Sequence, residues 1–174
     1  PHEMEVYMGD ILTAFLSELN QSHMTEFLTY SLNELITNAK KANTKRVYFA
    51  EKNLNINDIE EYSIGMKDFK KDTLENINHY LEIQKAKGLY IKLILQSNFH
   101  EIKIEVKNNS ELTPFEYKRI HDKIEKAQQY SSIEEAFSQV LDETEGAGLG
   151  LIIMILMLRK IGLTDDNYQV LCEN

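Results

Sequence analysis

The sequence predicts an α/β two-layer sandwich, a mixed and largely antiparallel sheet covered by helices on one face. Three observations carry this prediction. Apolar residues recur at helical spacing near the start of the chain and form a nearly continuous run near its end, and of two strand-like runs in the middle the second alternates apolar with charged residues. No repeat, low-complexity tract or Pro/Gly linker divides the 174 residues, so no internal domain boundary is expected.

Taken in order, Met8, Ile11, Leu12, Phe15, Leu16 and Leu19 predict a first amphipathic helix, with residues 1–22 forming a linker or dimerisation element ahead of a domain over 23–174. Its apolar stripe would serve a homodimer interface or the chain's own core equally well. Ser22 marks a new start, and Phe27, Leu28, Leu32, Leu35, Ile36 and Ala39 predict a second helix over 24–42. Val47 and Phe49 flank Tyr48 in a stretch that reads as a strand over 45–51. Residues 52–66 read as a loop, and a charged helix follows until Gly88 stops it.

The runs 89–96 and 101–109 predict two strands around a short turn. Ile102, Ile104 and Val106 face one way, and Lys103, Glu105 and Lys107 face the other. Pro114 opens a helix to about Gln129, and Ser131 caps a shorter one, Ile133 to Leu141. An apolar helix over 149–161 ends at Gly162, and Tyr168 to Cys172 read as a last strand. The four strands are expected in one sheet, with helices 24–42 and 149–161 on the same face.

Composition excludes several classes. A net charge of −9 argues against a nucleic-acid surface. The single Cys172 excludes an internal disulfide framework and a cysteine-rich metal site, which suits a reducing, cytoplasmic setting. The apolar run from Leu149 to Leu158 is about half of a membrane span. Without an initiator Met before Pro1-His2-Glu3, the chain reads as a piece of something longer.

Two stretches carry chemistry. Glu34, Asn38 and Lys41 fall on one helical face, where an amide oxygen can enter magnesium's octahedron and a carboxylate can orient a water. A solvated helix face explains the same spacing. Gly146, Gly148 and Gly150 immediately precede the apolar helix, where exposed N–H groups attract anions. A flexible turn before a core helix accounts for them as well.

The N-E-L-I-T-N-A-K-K helix, the strand ending V-K-N-N-S and the loop E-G-A-G-L-G-L stand in the order of three boxes of the GHKL ATPase superfamily. Over about residues 24–174 the chain resembles these Bergerat-fold domains of gyrase, MutL and the sensor histidine kinases, the last most closely. The resemblance implies binding of ATP with Mg²⁺ and phosphoryl transfer to a histidine outside this chain, with a phospho-acceptor or response-regulator protein as partner. It makes Asn38 the magnesium ligand, Glu34 the water-orienting carboxylate and Lys41 a phosphate-seeking base. Gly146, Gly148, Leu149 and Gly150 become the phosphate loop. Asn108 and Ser110 fall on the adenine-reading motif, where the family's Asp-x-Gly-x-Gly is replaced by Asn108-Asn109-Ser110-Glu111-Leu112.

That departure exchanges a charged acceptor for a neutral amide and removes two glycines, which weakens the expected site. The region between the second and third boxes is acidic, nine Asp/Glu against four Lys/Arg from Glu111 to Glu145, with Arg119, Lys123 and Lys126 on one face. His2, His23, His79, His100 and His121 stand in no phospho-acceptor box and read as surface histidines. Two other readings remain: a degenerate GHKL-like module that binds a protein partner, and a self-contained ATPase, which the short chain disfavours.

Overall fold

In the computed structural model, residues 2–140 and 149–171 are described. They form a mostly helical α/β chain: α1 (His2–Glu18), α2 (Thr25–Glu51), α3 (Ile59–Glu75), α4 (Ile77–Ala86), β1 (Ile91–Ser97), β2 (Ile102–Asn108), α5 (Pro114–Gln129), α6 (Ile133–Val140) and α7 (Leu149–Lys160). Two compact units partition the chain, one of residues 1–34 with 116–174 and one of residues 35–115.

Helix α2 overturns the strand expected over 45–51. It runs for 27 residues without a Gly or Pro to stop it, and propagation adds one hydrogen bond for each residue fixed. Val47, Tyr48 and Phe49 are all buried, although consecutive helical side chains point in different directions. Apolar neighbours therefore surround the end of α2. Tyr48 meets the rings of Phe69 and Tyr80 at centroid distances of 5.2 and 5.8 Å, and Phe49 stacks on Tyr62 at 5.6 Å. Packing overrides the β-preference of Val, Tyr and Phe here.

Four helices end in the same way. Asn20, Asn53, Gly88 and Gly162 have positive φ, and the next residue's N–H reaches back to a carbonyl five residues earlier: Gln21 to Leu16, Leu54 to Phe49, Leu89 to Gln84 and Leu163 to Leu158. Leu54 and Leu89 then join the aromatic core of the second unit. The expected loop over 52–66 is shorter than predicted because Asp58 starts α3, its carboxylate accepting from the N–H groups of Glu60 and Glu61. The long charged helix is two helices, broken at Asn76.

Among the described residues the sheet has two strands, not the four expected. Strands β1 and β2 pair antiparallel, with Leu93 opposite Val106 and Leu95 opposite Ile104. The strand expected from Tyr168 to Cys172 is not formed in its described part. Tyr168 has extended backbone, but its hydroxyl donates to Asp165 and residues 168–171 join no ladder. Residues 172–174 lie outside the described residues. Helix α5 starts at Pro114 as expected, whereas α6 is capped by Ser132, one residue later than predicted. Ser132 Oγ accepts from Glu135 N–H, and the Glu135 carboxylate accepts from Ser131 N–H and Oγ–H.

In the first unit, α7 buries Ile152, Ile153, Met154, Ile155, Leu156 and Leu158, and α1 buries Leu12 and Leu16. Arg159 fastens the end of α7: one guanidinium nitrogen donates to Ala127 O at 2.9 Å, the other meets Asp165 Oδ1 at 3.1 Å. Gln128 and Tyr168 also donate to Asp165.

Gly65 of α3 tests the second core. A Cβ there would fall 2.6 Å from Phe49 Cζ, an atom of a buried ring. Alanine should gain about 1 kcal/mol of helix propensity but lose about 1–3 kcal/mol to overpacking. Gly65→Ala is expected to lower the thermal midpoint, and adding Phe49→Leu should recover part of the loss; a midpoint above wild type would contradict this packing.

Acid should loosen the Asp165 clamp. Arg159, then Tyr168, hold the Asp165 carboxyl below its ordinary value, while burial and Asp165 push the Tyr168 phenol up to about 12. A carboxyl lowered on folding stabilises fully above its unfolded value of about 4, and this contribution is lost as pH falls towards the folded value. In denaturant titrations, wild type should exceed Asp165→Asn in stability at pH 7, with the gap closing in acid; a constant gap would contradict the ionic clamp.

Candidate functional site

Helix α2 carries the first group of candidate residues. Because it is helical throughout, Glu34, Asn38 and Lys41 keep their four- and three-residue spacing, with Asn38 and Lys41 exposed and Glu34 partly buried. Tyr30, one turn before Glu34, has its phenol pushed up by burial first and by the Glu34 charge second.

Glu34 and Gly150 meet, although the chain between them is long. Gly150 is the second residue of α7, and a Cβ built on it would lie 2.2 Å from Glu34 Oε2 and 2.3 Å from Glu34 Cδ. The acid of the first sequence box thus lies against the first turn of the helix that follows the glycine box. A helix N-terminus presents unsatisfied N–H groups and a partial positive charge, so a carboxylate is stabilised there. A side chain at position 150 would displace the flexible end of Glu34. Leu149 opens α7, half-buried. Gly146 and Gly148 lie outside the described residues.

Asn108 and Ser110 meet in the second unit around Asn43. Asn43 is 2% exposed. Its Nδ2 donates to Tyr90 O at 3.2 Å, while its Oδ1 accepts from Asn108 Nδ2 at 3.2 Å and from Ser110 Oγ. A single main-chain atom sets these orientations. Tyr90 O can only accept, so Asn43 must turn its nitrogen there and its oxygen towards Asn108, which must then donate. Asn109 completes the attachment, accepting from Tyr90 N–H and donating to Gly88 O. Asn108 Oδ1 takes no part in these bonds.

Sequence reasoning missed Asn43. A signal was present: Leu32, Ile36, Ala39, Asn43 and Val47 form one core-facing stripe of α2, and Asn43 is its single polar member. A polar group in such a stripe needs designated partners.

The remaining candidates lie elsewhere on the surface. Arg119 of α5 is exposed, and Lys123 and Lys126 are partly buried. His79 pairs with Glu51 at 2.8 Å, and the His121 ring lies 4.2 Å from that of Tyr117. Among the described residues no group of three His, Cys, Asp or Glu is placed to hold a metal ion, and no helix is long and apolar enough to cross a membrane. Asn38, which the resemblance assigns to magnesium, is exposed.

The described residues define a mostly helical α/β protein with a small antiparallel sheet and two polar assemblies, Glu34 with Gly150 and Asn43 with Asn108 and Ser110. An uncharacterized protein of Treponema pallidum (strain Nichols) is 51% identical to the chain over 173 residues, 99% of this chain and 34% of the relative. The chain therefore spans about a third of the length of the curated relative that it matches. No family model matches the sequence, and no solved structure matches the chain.

The Asn43 assembly makes a definite demand on position 108. Asn108→Asp would place a carboxylate oxygen against Asn43 Oδ1 with no proton between them, at a cost of about 1–3 kcal/mol. The variant should unfold at lower denaturant concentration than wild type, whereas unchanged stability would mean that Asn43 has other partners.

Proposed function

We propose that this chain is an ATP-binding domain of the GHKL type, nearest to the catalytic domain of sensor histidine kinases, which handles Mg²⁺-ATP for phosphoryl transfer to a histidine outside it. The observation that carries the reading is the approach of Glu34 to Gly150. Two sequence boxes that resemble one superfamily have members in contact, at the first turn of α7. ATP supplies the transferable phosphoryl group, and Mg²⁺ neutralises charge on its oxygens. By the resemblance, Asn38 would offer the metal an oxygen and Lys41 would draw in phosphate. The reading is proposed despite the two-stranded sheet, which falls short of a Bergerat sandwich.

The altered adenine motif is compatible with this reading. With its nitrogen committed to Asn43, Asn108 keeps Oδ1 as a positioned acceptor for an amino group. A second reading, a degenerate module that serves protein interaction, is favoured by the same assembly: Asn108 and Ser110 already tie the end of the hairpin to Asn43 of α2, which also holds Tyr90 at its start.

Calorimetric titration with ATP and ADP, with and without Mg²⁺, separates the two. Weak binding strengthened by Mg²⁺ is expected, and Asn38→Ala should abolish most of the Mg²⁺-dependent gain while leaving metal-free binding unchanged. Absence of binding at millimolar ATP would favour the degenerate module, and equal losses with and without Mg²⁺ would reduce Asn38 to a structural role.

A further inference from the structure

The β1–β2 hairpin is unfinished as a sheet. Its apolar face, Ile91, Leu93, Leu95, Ile102, Ile104 and Val106, is only half-buried throughout. Two strands leave two edges without a ladder among the described residues, and a hairpin of two strands is marginal without further support.

The two edges differ in charge. Strand β2 carries Lys103, Glu105 and Lys107, with Lys103 Nζ 2.6 Å from Glu105 Oε2. Charged side chains of this kind blunt an edge against further pairing. Strand β1, Ile91-Lys92-Leu93-Ile94-Leu95-Gln96-Ser97, has Lys92 as its one charge. It is the kind of apolar, weakly charged edge that accepts another strand.

A twofold axis through Ile94 gives β1 an antiparallel register with itself. Ile94 then faces its own copy, Leu93 faces Leu95, and Lys92 faces Gln96, so no like charges oppose one another. The same operation on β2 about Glu105 sets Glu105 against Glu105 and Lys103 against Lys107, and is repulsive. The β1 register also carries each Phe99, wholly exposed at the tip of the hairpin, past the end of the other copy's strand and towards its Leu89 and Tyr90. Tyr90 is itself exposed. We propose that β1 is a homodimer edge, at which two copies of this chain join their hairpins into a four-stranded antiparallel sheet. This is independent of nucleotide binding.

Seven-residue edges make a small interface, so the association is weak and falls in the micromolar-to-millimolar range. Sedimentation equilibrium of the 174-residue chain over that range should show a monomer–dimer equilibrium. Ile94→Lys, which opposes two ammonium groups on the axis, should leave a monomer with an unchanged far-ultraviolet circular dichroism spectrum. Gln96→Glu should tighten the dimer about two- to thirtyfold, because it sets a carboxylate opposite Lys92 at both ends of the paired strands. Gln96→Lys should weaken it. Because Gln96 is exposed, this pair of variants decides the matter even if Ile94→Lys fails to fold. A chain that stays monomeric at millimolar concentration would overturn the proposal. So would a folded Ile94→Lys protein that dimerises like wild type, or a dimer indifferent to charge at position 96.

Discussion

The second unit depends on one buried amide. Asn43 lies in the core-facing stripe of α2, where a polar side chain must satisfy both its nitrogen and its oxygen or destabilise the fold. It does so by taking hold of the hairpin at both ends: Tyr90 precedes β1, and Asn108 and Ser110 stand where β2 finishes. Three elements distant in sequence thus meet at one side chain. Aliphatic packing at position 43 could fill the volume, but it would not specify which hairpin residues lie there.

Much of the helical architecture was legible because its signals are local. Pro114 at the start of α5 and Gly162 at the end of α7 fell where the sequence placed them, since proline geometry and positive φ are properties of single residues. The end of α2 was readable by the same logic and was missed. Lys52-Asn53-Leu54 has the form of Lys87-Gly88-Leu89: a left-handed residue followed by a leucine that folds back on the core. Reading Asn53 as such a stop would have extended α2 through Val47, Tyr48 and Phe49. The strand assignment rested instead on three residues whose β-preference yields to burial on several sides. The hairpin was legible for the opposite reason, since the alternation of β2 beside a second short apolar run has one simple interpretation.

The candidate site was legible in part. Spacing alone placed Glu34, Asn38 and Lys41 along one helix, because helical periodicity needs no tertiary information. Glycine at position 150 was read as room for a phosphate. The structure supplies a nearer claimant, since the Glu34 carboxylate itself occupies the space a side chain would take. No pattern along the chain announces that two such residues will meet, because the meeting is created by packing. The partnership of Asn108 with Asn43 was hidden for the same reason, and it gives the amide at position 108 a structural cause beyond the loss of a charged acceptor.

The aromatic cluster at the end of α2 has an optical consequence. The chain contains no tryptophan, and Tyr48, Tyr62 and Tyr80 lie with Phe49 and Phe69 in ring contact inside the second unit. Tyrosines held at fixed mutual angles couple their transitions, so near-ultraviolet ellipticity reports on that unit's packing above all. Burial and the Asp165 carboxylate push the phenol of Tyr168, in the first unit, up to about 12. The packing of the second unit can therefore be followed by its own chromophores, without a label.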